Sequence, residues 1–439
     1  MKHIDTLIHA DWLIPVDKNN STLYKHSLAI KDGKVVSILP QDEATTRYKP
    51  LTVVNLPNHA LIPGLINSHT HAAMNLLRGI ADDLPLMDWL QDHIWPAEAK
   101  WVSPSFVRNG VDLALAEMLR SGTTCFCDMY FFPEEAAHAA RDIGMRAVVG
   151  LIMIDFPSAY AQTSDEYLSK GLKLHDDLRA TELIRTAFAP HAPYSVSDEP
   201  LKRIAMYADE LDIPISIHLH ETAHEVSESE QHTGKRPLAR LQELGLLSPR
   251  LNAVHMTQLT DDEISLIAES GVSVIHCPES NLKLASGFCP VQTLLDAGIN
   301  VALGTDGAAS NNDLDMLAEM RTAALLAKGV AADATAVSAY TALRMATING
   351  AKALGLENET GSLEKGKSAD IAAINLGTLE SEPVYDPVSQ IVYSAGREQV
   401  THVWVAGQPL LVDRHLKTLD ENDLLKLARE WHVKIAADE

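Results

Sequence analysis

The sequence predicts an α/β protein: a (β/α)8, TIM-like barrel with a small β-sandwich domain built from both chain ends. Three observations predict it. The first 60 residues read as β, a β texture returns after residue 366, and short apolar runs alternate with helical stretches between them. At 439 residues the chain suits one large domain plus a smaller one. The expected division is residues 1–60 plus 367–439 for the small domain, with a C-terminal helix, and residues 61–366 for the barrel.

The elements follow in order. SLAIKDGKVVSILP is two alternating runs about Asp32-Gly33, a strong hairpin signal. Eight apolar runs come next: ALIPGLINSHTH, TTCFCDM, MRAVVGLIMI, IRTAFAPHAP, IPISIHLHE, LNAVHMTQL, VSVIHCPESN and INVALGTDG. Each is followed by sequence of helical character, such as EPLKRIAMYADEL. Near-continuous apolar strands alternating with helices imply a parallel sheet buried on both faces, and eight such units suggest a closed barrel. ADIAAINL and VTHVWVAGQPLLVD restore the β texture. In the tail, Leu424, Leu427, Ala428 and Trp431 form one helical stripe.

Composition narrows the function classes. Apolar residues make up 46% and charged residues 22%, as in ordinary globular chains. No window reaches the ~18 apolar residues a membrane helix needs. The N-terminal apolar part is broken by charges and does not read as a signal peptide, so the expected location is cytoplasmic. The net charge of −23, without clustered Lys and Arg, argues against nucleic acid as a partner. Four cysteines without a CxxC pair give neither a disulfide framework nor a thiolate zinc site. Homo-oligomerisation is left open.

The chemistry lies at the strand ends. Strand one ends in His69-Thr70-His71, strand four in His191 and strand five in His218-Leu219-His220-Glu221. Strands six, seven and eight bring His255, His276 and Asp306. Burying such groups unpaired is costly, so their convergence on one barrel face points to a site. Residues i and i+2 of a strand share a face, which lets His69 and His71 bind one ion. With His218 and Asp306 they would supply three nitrogens and one oxygen, a donor set suited to zinc with a position left for water. The alternative for any single histidine is a satisfied structural residue.

A second motif competes. His220-Glu221-Thr222-Ala223-His224 matches H-E-x-x-H, which binds zinc only on a helix, where i and i+4 share a face. Here it follows an alternating, β-branched strand, and it leaves His69, His71 and Asp306 unused. His224 is expected to be an ordinary polar residue after the strand.

PGLINSHTH, HLHE, VHMTQL, HCPESNLKLASG and LGTDGAASNN stand in the order seen in the amidohydrolase superfamily, and the chain resembles its deaminase and chlorohydrolase branch. GSLEKGKSADIAAIN looks like that family's return to the small β domain. Residues 74–100, MNLLRGIADDLPLMDWLQDHIWPAEAK, resemble 5′-methylthioadenosine/S-adenosylhomocysteine deaminases, whose WPxE glutamate, here Glu98, binds the ribose hydroxyls.

The resemblance implies one divalent ion per chain, zinc with iron as the alternative, held by His69, His71, His218 and Asp306. IRTAFAPHAPYS has no bridging lysine, so a single metal is expected, and His191 would contact substrate. It further implies hydrolytic deamination of an adenine ring, with Asp306 as ligand and base. His255 would orient the attacking water, and Glu221 would act as general acid at ring N1. Structural alternatives are a helix-capping carboxylate for Glu221 and for Glu98, and a core histidine for His255. Trp89 and Met87 are candidates to wall the purine, and Asn281 and Asn311 are second-layer or turn residues. The family's nucleoside deaminases can place an arginine in the loop after strand three. Residues 152–170 offer none, and Arg146 stands at the start of that strand. The competing functions are another ring hydrolase of the same branch, such as a chlorotriazine hydrolase or a guanine or pterin deaminase, and a catalytically silent metal-binding barrel. Glu98 argues against the former and the intact ligand and acid set against the latter.

Overall fold

The computed structural model describes residues 1–437, which hold two eight-stranded sheets. The first begins with β1 (Lys2–Leu13), β2 (Leu23–Lys31), β3 (Lys34–Pro40) and β4 (Tyr48–Pro63). The hairpin read from Asp32-Gly33 joins β2 to β3, and both turn residues have positive φ, 51° and 73°, as a two-residue type I′ turn demands. The chain then forms β5 (Leu65–Thr70), β6 (Thr123–Asp128), β7 (Arg146–Met153), β8 (Ile184–Pro190), β9 (Ile215–Leu219), β10 (Leu251–His255), β11 (Ser273–His276) and β12 (Val301–Leu303). These eight are parallel and hydrogen-bonded in sequence order. The barrel expected from the alternating runs is therefore present.

The seam between β12 and β5 is closed by side chains and by the loop after β12. Asn67 and Thr305 exchange two hydrogen bonds, with Asn67 Nδ2 donating to Thr305 Oγ1 at 2.7 Å and Thr305 N donating to Asn67 Oδ1 at 3.0 Å. Asp306 N donates to the His69 carbonyl at 3.0 Å. A Cβ at Gly304 would come within 2.8 Å of the His69 backbone, so only glycine permits this approach.

Burial explains why the strands read as unbroken apolar runs. Ile66, Cys125, Cys127, Val148 and Ala187 fill the barrel interior with Leu354 and Leu356, which follow the short helix Ile348–Ala353. The outward residues, such as Phe126, Val149 and Phe188, join the core under the surrounding helices. All four cysteines are free and buried.

The first sheet is completed by β13 (Ile371–Asn375), β14 (Val400–Val405), β15 (Gln408–Val412) and β16 (His415–Leu416). Its order places β13 beside β4, so both chain ends share one mixed sheet. The sheet folds over itself, with Val35 N bonding Lys367 O and Ala369 N bonding Gly33 O, around an apolar core that includes Leu28, Ile371 and Trp404. The C-terminal helix Glu421–Ala436 buries Leu424 and Trp431, as its stripe predicts. It packs on the barrel helix Pro104–Arg120, where Trp431 meets Phe106 with ring centroids 5.2 Å apart.

Arg146 explains how the two sheets are tied. It lies at the floor of β7, far from the strand's carboxyl end, and its Nε donates to Asp370 Oδ2 at 2.9 Å. Its other nitrogens reach Glu359 and Ser368. The side chains of Arg146 and Asp370 are 4% and 0% exposed. Replacing Arg146 by Ala leaves a buried carboxylate without its cation. The expected cost is about 3–5 kcal/mol, read as a lower urea midpoint; an unchanged midpoint would refute the pair's role.

Candidate active site

The carboxyl ends of the barrel strands gather the ionisable residues picked out in the sequence. His69 closes β5, and His71 follows it at the entry to the 3-10 turn Ala72–Leu77. Both Nε2 atoms face one carboxylate oxygen, Asp306 Oδ1, at 3.4 and 3.1 Å. His218, in β9, brings its Nε2 to 3.1 Å from His69 Nε2. One donor atom from each of His69, His71, His218 and Asp306 lies within 4.8 Å of the others.

The partners of these groups fix which atoms face inward. His71 Nδ1 lies 2.6 Å from the Met129 carbonyl and His218 Nδ1 lies 2.8 Å from the His191 carbonyl. Each Nδ1 must therefore donate, which leaves the Nε2 lone pairs free to point at a common centre. Asp306 Oδ2 accepts hydroxyl bonds from Ser280 and Ser310, both at 2.7 Å, while Oδ1 is buried without a partner. A buried orphan oxygen facing three imidazole nitrogens is the arrangement a divalent cation satisfies, and an N3O donor set suits zinc.

Glu221 and His255 flank this cluster. His255 ends β10 with φ of 77°, its Nδ1 bonds Asn281 Oδ1 at 2.8 Å, and its ring stacks on His218 with centroids 5.4 Å apart. Its Nε2 is 3.7 Å from Glu221 Oε2. Burial pushes the Glu221 carboxyl above its ordinary value, partly offset by His255. Glu221 does not cap the following helix. Thr222 does so, accepting from Glu225 N, and the Glu225 carboxylate takes the backbone N–H groups of His220 at 3.1 Å and Glu221 at 2.7 Å. The Glu221 side chain is thus left for the cleft.

The H-E-x-x-H motif does not form a metal site. His220 turns away from the cluster, bonding the Gln258 carbonyl through Nδ1 at 2.9 Å and accepting from Leu238 N at 3.1 Å. His224 is exposed beside Glu228.

The cluster sits in a cleft of about 560 Å³ whose lining includes Trp89, Glu98, His191, His255 and Glu221. Glu98 lies in the first turn of the helix Trp95–Trp101, where its side chain makes no cap bond, and it lines this cleft. Burial pushes its carboxyl up to about 7 against the opposing effect of the Tyr130 hydroxyl. His191 bonds Ser195 Oγ through Nδ1 at 2.9 Å and stands beside His218. Trp89 is buried with its indole nitrogen unpartnered, whereas Met87 packs against the core outside the lining. His276 is buried outside the lining as well. Asn311 holds the strand-eight loop by donating to the Thr305 carbonyl at 2.7 Å.

Several contributors escaped sequence reasoning: Ser280 and Ser310, the carbonyl of Met129, and Glu225. Hydroxyls and main-chain carbonyls carry no periodic signal. Only their adjacency to Asn281 and Asp306 in short polar motifs could have marked the two serines.

Comparison with known proteins agrees with this geometry. Residues 60–410 match the amidohydrolase family. A 5-methylthioadenosine/S-adenosylhomocysteine deaminase of Saccharophagus degradans is 54% identical, the match covering 99% of this chain and 97% of that protein. The Teredinibacter turnerae protein of the same name is 52% identical over 99% of this chain and 98% of its own length. Among solved structures, an adenosine deaminase from Xanthomonas campestris with bound zinc superposes with a TM-score of 0.98 at 53% identity, covering 99% of both chains. A zinc-complexed atrazine chlorohydrolase from Arthrobacter aurescens gives 0.89 at 25% identity, covering 97% of this chain and 99% of that one. On the fold, the strand-end site and these matches, the chain belongs to the amidohydrolase family.

Proposed function

We propose that this protein is a metal-dependent aminohydrolase that deaminates the adenine ring of 5′-methylthioadenosine and related adenosine nucleosides, S-adenosylhomocysteine among them, giving the inosyl product and ammonia. One observation carries the reading. His71, His218 and Asp306 of the four-donor centre, the paired Glu221 and His255, and the Glu98 carboxylate all face a single cleft of about 560 Å³, of a size for a nucleoside. The names of the relatives and of the zinc-containing neighbour support it.

His69, His71, His218 and Asp306 would hold a zinc ion, which would supply the Lewis acidity that makes water a nucleophile near neutral pH. Iron fits the same donors, and the zinc of the neighbouring structure favours zinc. The chain's own groups do the rest. Asp306 takes the proton of the attacking water, and His255, held by Asn281, orients that water. Glu221, its carboxyl raised by burial, donates a proton to ring N1, which makes C6 electrophilic. Water adds at C6, Asp306 passes its proton to the amino nitrogen, Glu221 recovers a proton from the new C6 hydroxyl, and ammonia leaves. Glu98 accepts from the two ribose hydroxyls, and His191 and Trp89 contact the substrate along the same wall. Among the described residues no helix is long and apolar enough to cross a membrane. The four free, buried thiols support placement in a reducing cytoplasm.

Ammonia release from adenosine, 5′-methylthioadenosine, S-adenosylhomocysteine, guanine and a chlorotriazine tests the reading; activity confined to the last two would overturn it. Replacing Glu221 by Gln should lower deamination by about 10²–10⁴-fold with metal content unchanged, and near-normal turnover would remove its acid role. Glu98→Ala should cut kcat/KM by roughly 10²-fold for nucleosides and much less for free adenine. His218→Ala should abolish stoichiometric zinc in elemental analysis of the purified chain, and full retention would exclude it as a ligand.

A further inference from the structure

The cleft has two chemically different ends. Three carboxylates face it, Asp306 and Glu221 by the histidines and Glu98 on the helix Trp95–Trp101. No lysine or arginine stands among the described residues that line it. Lys283 and Lys100, next in chain to the lining, and Arg240, which bonds the Pro193 carbonyl beside Tyr194, are engaged elsewhere. Lys283 bonds Asp82 at 2.6 Å and the Ala309 carbonyl at 3.2 Å. Arg240 reaches the Val196 carbonyl and Asp198, and Lys100 stands over the Trp101 ring at 5.2 Å.

The lining shared by the Glu98 helix and the loop after β7 is mainly apolar, and the hydroxyl of Ser158 there is taken up by Tyr167 and the Tyr160 N–H. Trp95 lies three residues before Glu98, on the same helical face. Its ring meets Phe156, from the loop after β7, with centroids 6.4 Å apart. Phe131, Ile154 and Pro157 extend that surface. With the adenine at the metal end and its ribose on Glu98, the 5′ substituent is directed against Trp95 and Phe156.

We infer that this outer end is built for an uncharged, apolar 5′ substituent and discriminates against a zwitterionic amino-acid tail. The inference rests on the deaminase reading above. A tail carboxylate would lose hydration against aromatic and aliphatic surface, find no cation and face a cleft whose lining charges are acidic. Its ammonium would compete for Glu98 with the ribose hydroxyls. A thioether alkyl tail loses nothing polar on entry and gains apolar burial.

The test compares kcat/KM of the zinc-loaded full chain for 5′-methylthioadenosine, 5′-butylthioadenosine and S-adenosylhomocysteine. The butyl tail matches the homocysteine carbon chain without its charges, which separates size from charge. The expected result is butylthio within about threefold of methylthio and S-adenosylhomocysteine lower by about 10²-fold. S-adenosylhomocysteine within threefold of butylthioadenosine, with all three deaminated, overturns the inference and leaves the deaminase reading intact. No deamination of any of the three overturns both. Phe156→Arg should narrow the butylthio-to-homocysteine ratio by about tenfold, and an unchanged ratio would remove the tail from this wall and refute the assignment.

Discussion

Everything at this site depends on how one carboxylate is divided. Asp306 gives Oδ2 to two serine hydroxyls and keeps Oδ1 bare against three imidazoles. A bare buried oxygen is expensive unless a cation meets it, so the loop that carries Asp306 must be held against that cost. The barrel seam does the holding. Asn67 and Thr305 lock β5 to the end of β12, Gly304 lets the backbones touch, and the main chain of Asp306 bonds His69 itself. The contacts that close the barrel are the same contacts that set the distance between His69 and Asp306.

The other acids are differentiated by what surrounds them. Glu221 is buried beside a histidine, Glu98 beside a tyrosine hydroxyl, and Glu225 is committed to two main-chain N–H groups. Burial raises all three carboxyls; the first two face the cleft, and the third fixes the backbone from which Glu221 projects. Three glutamates of identical chemistry are set apart by their positions and partners.

Much of this was legible in the chain. The eight apolar runs became eight parallel strands because each is buried on both faces, and the hairpin at Asp32-Gly33 formed because both residues tolerate positive φ. His69, His71, His218 and Asp306 come together because each ends a barrel strand, and strand ends share one face of the barrel. Less legible were contacts made through common residues. Ser280 and Ser310 look like any loop serine, and Met129 contributes a carbonyl that side-chain identity does not encode. Arg146 was placed at the start of its strand from the sequence, but its union with Asp370 links residues 224 positions apart. Such a pair becomes visible only when the two sheets are in place.

The neighbouring positions of β4 and β13 bear on how the molecule is made. The barrel is an insertion between two strands of one sheet. During synthesis β4 waits for about 300 further residues, roughly 15–60 s at ordinary elongation rates of 5–20 residues per second, before its partner leaves the ribosome. Throughout that interval one edge of the long parallel pair β1–β4 stays open to other chains. The barrel residues therefore all leave the ribosome before the sheet built from both chain ends can be completed, so its N-terminal strands wait longest for their partners.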